Sequence, residues 1–133
     1  MGYTVKDAAE RTGLSANALR YYEKEGLLPH IARSKSGIRH YSDEDLEWLS
    51  LICCLKNTGM SIQQIRDFVD LSLRGPETLK ARCDMLEAHK RGVEAHIAQT
   101  NQHLDKVTHK IAYYTRKYME YTAGEAQKKP QNP

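Results

Sequence analysis

The fold of this 133-residue chain follows from the segment TVKDAAERTGLSANALRYYEKEGLL, residues 4–28. It holds two short runs with apolar residues at helical spacing, separated only by Thr12-Gly-Leu-Ser15. A linker of this length, with a glycine suited to end one helix and a serine suited to cap the next, is typical of a helix-turn-helix. The pattern predicts helices over residues 5–11 and 16–25.

Two further helix starts follow downstream. Ser42 and Ser61 each precede an acid or amide by three residues, as Thr4 does at the first helix. This arrangement is typical of a capping box, in which two side chains satisfy the first free backbone N–H groups of a helix. We therefore expect helices over residues 43–57 and 62–73.

A small hairpin is predicted between the second and third helices. Residues 30–41 read HIARSKSGIRHY, in which a Ser-Lys-Ser-Gly turn separates two short pieces that favour strands. Residues 20–40, which include most of this hairpin, are rich in positive charge, the usual electrostatic footprint of phosphate binding. The basic residues are Arg20, Lys24, Arg33, Lys35 and Arg39, with His30 and His40 beside them.

From residue 76 the pattern changes to heptads. Mostly apolar residues, interrupted by the polar Lys90 and Thr100, follow one another at alternating steps of four and three from Leu79 to Tyr121, with no proline until Pro130. A single helix cannot bury such a stripe against itself, so the pattern predicts a coiled coil with a partner, most simply a second copy of the chain. The expected division is a DNA-binding head over residues 1–75, a dimerisation helix over 76–121 and a disordered tail over 122–133.

The composition argues against several classes of protein. No apolar run approaches the roughly 20 residues of a membrane span, and the first residues lack the apolar core of a signal peptide, so we expect a cytoplasmic protein. Nothing assembles a nucleophile with an oxyanion hole, and there is no glycine-rich phosphate loop, so we expect neither an enzyme nor a cofactor. A coiled-coil interaction module remains an alternative, but it leaves the basic patch and the helix-turn-helix unexplained.

The chain resembles the MerR family of transcription regulators over about residues 3–70. The shared motifs are TVKDAAERTGLS (4–15), LRYYE with GLL (19–28), Arg33, SGIRHY (36–41), Asp45-Leu and GMSIQQI from Gly59. The resemblance implies a mainly α fold, with a winged helix-turn-helix head followed by a long antiparallel coiled-coil dimerisation helix. It also implies a homodimer on double-stranded promoter DNA, which bends and untwists a pseudo-palindromic operator to control transcription by RNA polymerase.

The expected DNA contacts lie on the second helix and on the wing. The helical arc and the basic patch themselves favour Arg20, Tyr21 and Lys24, and add Lys35 in the hairpin turn. The resemblance carries recognition-helix roles to Asn17, Arg20, Tyr21 and Tyr22, and backbone-gripping roles to Arg33, Arg39 and Tyr41. Ile38 departs from the aromatic residue that many members have there, so it is not counted as a contact.

Three cysteines bear on the signal that the protein detects. Within the family, the chain resembles a compact subgroup that responds to aldehydes and other electrophiles through a cysteine just before an LKNTG-like turn, the position of Cys54. At about 100° per residue, Cys53 falls on the apolar face of its helix and Cys54 falls off that face. We therefore expect Cys53 in the core and Cys54 as the sensor of an electrophile, an aldehyde or a redox signal. Cys83, which lies on the heptad seam, is expected as a buried packing residue.

A histidine ladder supplies the alternative signal. His89, His96 and His103 recur every seven residues beside the seam. Clustered imidazoles bind metal or respond to mild acid, but successive members lie about 10 Å apart on one helix, so a site needs help from the partner chain. A metal- or pH-responsive regulator that uses this ladder or Cys83 remains an alternative. The other alternative is that these histidines are simply solvated polar residues beside the seam.

Overall fold

The computed structural model describes residues 2–29 and 31–128, without the side chains of Ala32 and Lys128. The chain is mainly helical, as predicted. The helices are α1 (Val5–Thr12), α2 (Ala16–Lys24), α3 (Asp43–Asn57), α4 (Ile62–Leu73) and α5 (Leu79–Lys128), with a 3₁₀ turn at Pro76–Thr78 before α5 and two short strands, β1 (Ala32–Arg33) and β2 (Arg39–His40), between α2 and α3.

The predicted helix starts are confirmed. Thr4, Ser42 and Ser61 each form a complete capping box, in which the hydroxyl accepts from the third helical N–H and the third side chain accepts from the cap N–H. Ser15 caps α2, and Gly13 ends α1 in the left-handed conformation at φ 74°. These local bonds fix the boundaries of the helix-turn-helix before any tertiary contact is made.

The hairpin closes as an antiparallel pair in which Ala32 lies opposite His40 and Arg33 opposite Arg39. One further backbone bridge joins Tyr3 to Tyr41, so the chain ahead of α1 holds the end of the wing. The predicted wing is therefore confirmed, and it is attached to the head on both sides.

One hydrophobic core unites α1 to α4. Trp48 stacks on Phe68 with ring centroids 5.9 Å apart, and its indole N–H donates to the carbonyl of Leu27 at 2.8 Å. The aromatic pair thus joins α3, α4 and the segment after α2. The buried apolar residues are Ala8, Leu19, Tyr22, Leu27, Leu28, Tyr41, Leu49, Ile52, Leu55, Met60, Ile65, Phe68 and Val69.

The long helix departs from the predicted boundaries at both ends. Met85 and Leu86, near its start, pack against the core of the head, and the first compact unit therefore ends at Lys90 rather than at residue 75. At the other end, α5 continues through Lys128, so the expectation of disorder from residue 122 is wrong for residues 122–128. Residues 129–133 of the predicted tail lie outside the described residues.

The second unit begins at Arg91 and carries an unpartnered apolar stripe. The exposed residues of the stripe are Ile97, Leu104, Val107, Ile111, Tyr114, Tyr118 and Tyr121. These residues belong to the predicted seam, and their burial against a second copy of the chain stays a prediction. Among the described residues, no helix combines the length and apolar character that crossing a bilayer requires.

Candidate nucleic-acid interface and sensor turn

The exposed arc of α2 is the first part of the candidate interface. Arg20, Tyr21 and Lys24 all face solvent, with Tyr21 42 % exposed. Asn17 lies one turn earlier, and its Oδ1 accepts from the Arg20 guanidinium at 3.1 Å. The structure thus brings four of the predicted contact residues together on one face of the recognition helix, in the arrangement that suits a major groove.

The wing is held to α2 by a shared carboxylate. Glu23 on α2 accepts from the guanidinium of Arg33 at 2.6 Å through one oxygen and from that of Arg39 through the other. Arg33 also donates to the carbonyl of Gly37 at 3.2 Å, across the hairpin turn. These bonds fix the position of the wing relative to the recognition helix, and Lys35 remains exposed at the turn.

Two of the predicted contact residues lie in the core. Tyr22 is 5 % exposed and Tyr41 is 0 % exposed. Burial raises the pKa of both phenols, with the Cys53 thiol adding to the effect at Tyr22 and the Glu23 charge at Tyr41. The expectation that both rings face DNA is corrected, because helical periodicity turns Tyr22 inward and the backbone bridge to Tyr3 draws Tyr41 inward.

The structure adds Lys56 to the interface. Its ammonium lies 5.2 Å from the ring centroid of Tyr21 and 5.4 Å from that of Tyr22, within the range of cation–π attraction. The sequence offered no signal for this contact, since Lys56 lies on α3, 35 and 34 positions from the two tyrosines.

The end of α3 is a compact turn of the Schellman type. The N–H of Met60 donates to the carbonyl of Leu55 at 2.9 Å, and the N–H of Gly59 donates to that of Lys56 at 3.2 Å. Gly59 adopts φ 103°, which side chains disfavour. Leu55 and Met60 are both buried, so the LKNTG segment ends the helix and anchors the turn in the core.

The two adjacent cysteines separate as predicted. Cys53 is half-buried against the core, and Cys54 is exposed in the last turns of α3. The carbonyl of Cys54 accepts from the N–H of Thr58 at 3.0 Å and from its hydroxyl at 2.6 Å. Cys54 is therefore accessible and directly precedes the Schellman turn.

Cys83 is exposed in the single chain, as most other seam residues are, so its role as a residue packed against a second copy stays a prediction. Its thiol donates to the carboxylate of Glu87 at 3.6 Å. That carboxylate raises the pKa of Cys83, because a negative charge one turn away disfavours the thiolate. Since the thiolate is the nucleophile, Cys83 is disfavoured as an electrophile sensor.

The histidine ladder divides into two environments. His89 is half-buried and its Nε2 lies 2.7 Å from the hydroxyl of Thr58, whereas His96 and His103 are exposed. Within residues 2–29 and 31–128, no three His, Cys, Asp or Glu side chains are grouped to hold a metal ion. The ladder therefore does not form a metal site within one chain.

Two family models match this architecture. The model of MerR HTH family regulatory proteins covers residues 3–71, and the model of the MerR DNA-binding region covers residues 46–110. This chain belongs to the MerR family. The first match spans the helix-turn-helix, the wing and α4, and the second reaches from α3 into α5.

Individual MerR relatives agree over most of the chain. An uncharacterized HTH-type transcriptional regulator of Haemophilus influenzae is 43% identical over 116 residues, which is 87% of this chain and 86% of that protein. HiNmlR, a MerR family regulator lacking the sensor domain and solved bound to promoter DNA, is 43% identical with a TM-score of 0.82, over 87% of this chain and 92% of that one. A MerR family regulator from Bacillus thuringiensis is 38% identical with a TM-score of 0.80, over 86% of this chain and 100% of that one.

These matches establish the general activity. The chain is a DNA-binding transcriptional regulator of the MerR family, and both its fold and its relatives are those of regulators rather than enzymes.

Proposed function

We propose that this MerR protein is a homodimer that binds a pseudo-palindromic promoter operator in the cytoplasm and switches transcription when Cys54 reacts with an electrophile. The observation that carries the sensing role is the exposed Cys54 thiol, whose residue directly precedes the Schellman turn and whose carbonyl accepts hydrogen bonds from Thr58 within that turn. A covalent change at this residue acts on a turn that joins two helices of the head.

The DNA-binding part of the proposal rests on the exposed arc of α2. Asn17, Arg20, Tyr21 and Lys24 lie on one face, and Arg33, Arg39 and Lys35 stand on a wing fixed beside it. Two such heads, joined through the stripe of α5, suit the two halves of a pseudo-palindrome. HiNmlR, which resembles this chain over most of its length, was solved on promoter DNA. Contacts from both heads offset the roughly 1–6 kcal/mol that smooth bending of DNA costs before RNA polymerase can use the promoter.

The chemistry at Cys54 is thiol addition. The sulfur attacks the carbonyl carbon of an aldehyde, and the carbonyl electron pair moves to oxygen. The thiol releases one proton and the oxygen takes up one, so no proton is gained or lost overall. The product is a hemithioacetal, formed without an oxidant or a metal. This reaction requires an accessible thiol, which is the property that separates Cys54 from the half-buried Cys53.

The test is Cys54→Ser measured by in vitro transcription from the operator promoter, with and without an aldehyde. We expect the variant to bind the operator as the parent does and to lose the aldehyde response. Cys83→Ser is the matched control, because it removes another exposed thiol and should keep the response. An unchanged response in Cys54→Ser would remove Cys54 as the sensor, and loss of response in Cys83→Ser would move the sensor to α5.

A further inference from the structure

The Thr58 hydroxyl joins two parts of the head that are distant in sequence. Its oxygen lies 2.6 Å from the carbonyl of Cys54 at the end of α3 and 2.7 Å from Nε2 of His89 on α5. The carbonyl of Leu55 is a longer contact at 3.3 Å. One side chain thus connects the turn that carries Cys54 with a helix that begins about 20 residues later, at Leu79.

Counting protons assigns the donors. A hydroxyl has one proton, and a carbonyl can only accept, so the short contact with Cys54 requires Thr58 to donate there. His89 must then donate its Nε2–H to the Thr58 oxygen, since an unprotonated Nε2 would face a lone pair at 2.7 Å. The bonds run in one direction, from His89 through Thr58 to the backbone of Cys54, and such chains strengthen each bond in them.

The histidine is held where the long helix packs on the head. Leu86, one turn before His89, packs against the buried core, and the first compact unit ends at Lys90. His89 is half-buried, whereas the next member of the ladder, His96, is exposed. The same heptad spacing therefore gives two histidines, of which only the first contacts the Cys54 turn among the described residues.

We propose that His89 is a positioning residue that couples the state of Cys54 to α5 through the Thr58 hydroxyl. This inference rests on the sensing role proposed for Cys54. An adduct on the Cys54 side chain displaces the last turn of α3, and the Thr58 hydroxyl moves with the carbonyl to which it donates. His89 carries that displacement to the first turns of α5, because its bond to Thr58 is a direct side-chain link from α5 to that turn.

The test is hydrogen–deuterium exchange of the full chain before and after alkylation with iodoacetamide, in a Cys83→Ser background so that the exposed thiol of α5 is not labelled. Peptide mapping confirms the adduct at Cys54. We expect the adduct to speed amide exchange in the turn (54–60) and in the start of α5 (82–90), by about two- to tenfold, the size expected when one hydrogen bond is broken. In His89→Ala the change should stay confined to the turn.

Three variants separate coupling from simple packing. His89→Gln places an amide N–H near the position of Nε2 and should restore the response of residues 82–90, whereas His89→Asn, whose amide reaches only the Nδ1 position, should not. His96→Ala removes a ladder histidine that does not touch Thr58 and should behave as the parent.

Either of two results would overturn the coupling. One is an adduct that leaves residues 82–90 unchanged with His89 in place, and the other is an equal response of that peptide in His89→Ala. A failure of the sensing role would be detected in the transcription experiment, where Cys54→Ser would keep the aldehyde response. The exchange experiment uses an imposed adduct, so its outcome does not depend on that response.

Discussion

At the scale of single residues, Tyr41 shows how a polar side chain can be present for packing. Its ring is fully buried, and its hydroxyl has no hydrogen-bond partner among the described residues. A buried hydroxyl without a partner costs roughly 1–3 kcal/mol of stability. The wing side chain that the family resemblance assigned to DNA is therefore a core residue whose polar atom works against folding.

Tyr41→Phe should therefore be neutral or stabilising. Removing the hydroxyl while keeping the ring should raise the free energy of unfolding at neutral pH by about 1 kcal/mol. Urea or thermal unfolding of the parent and the variant measures the change, and a gel shift should show equal operator affinity. A decrease in stability, or weaker DNA binding, would show that the hydroxyl makes a contact that matters.

The same substitution has a signature in pH. Burial raises the pKa of Tyr41, so on raising the pH the unfolded chain releases this proton first, near its ordinary value of about 10. The stability of the parent is complete below that pH and falls as the pH rises towards the folded pKa. This loss of stability should be smaller in Tyr41→Phe. The part due to Tyr22 and Tyr3 should remain, because their pKa values are also raised.

At the scale of elements, α2 and the wing behave as one body. Glu23 holds Arg33 and Arg39 from the wing, so their orientation is set before DNA arrives. Arg20, by contrast, is exposed, and among the described residues its guanidinium donates only to the nearby Asn17, at 3.1 Å. The wing arginines therefore combine a structural role with their proposed contact, and Arg20 is the cleaner test of the interface.

Arg20→Ala should weaken operator binding without changing stability. Removing an arginine that touches DNA costs about 1–3 kcal/mol of binding free energy, so affinity should fall by about 5- to 150-fold. The dependence of binding on salt should become less steep by about one unit for each phosphate that the variant no longer neutralises. A gel shift over a salt series measures both. Arg91→Ala, an exposed arginine on α5, is the control and should bind as the parent does. Normal affinity in Arg20→Ala would remove this residue from the interface.

At the scale of the whole molecule, α5 carries the surface on which the proposed dimer depends. Its stripe is more than half exposed at Leu104, at 59 %, and at Ile111, at 62 %. Burying a leucine side chain contributes about 1.5–3 kcal/mol, and a two-fold symmetric pair counts each position twice. The apolar surface of this helix is thus sufficient reason to expect a second copy upon it.

Leu104→Glu should dissociate the proposed dimer. In a dimer, the glutamate would have to lose its hydration inside the seam, which costs free energy. This cost favours the separated chains. Analytical ultracentrifugation over a concentration series measures the shift. Gln102→Glu places the same charge on the opposite face of α5 and should leave the assembly unchanged. If the Leu104→Glu variant has the same assembly mass as the parent, the interface lies elsewhere.

Local features of the chain were readable from sequence. The caps at Thr4, Ser42 and Ser61 and the glycine at Gly13 act over three or four residues, so their residue types alone fix helix boundaries. The heptad period similarly predicts α5. The angle of about 100° between neighbouring residues on a helix predicts that Cys53 is more buried than Cys54.

Contacts between distant residues were decided only by the tertiary structure. The sequence did not predict that Glu23 pairs with Arg39 or that the bridge to Tyr3 buries Tyr41. It also did not predict that α5 continues to Lys128, because residues 122–128 have no apolar face. The bond between Thr58 and His89 spans 31 positions and belongs to the same class. The physical reason is that periodicity and capping depend on neighbours along the chain, whereas burial and pairing depend on which surfaces meet once the helices have packed.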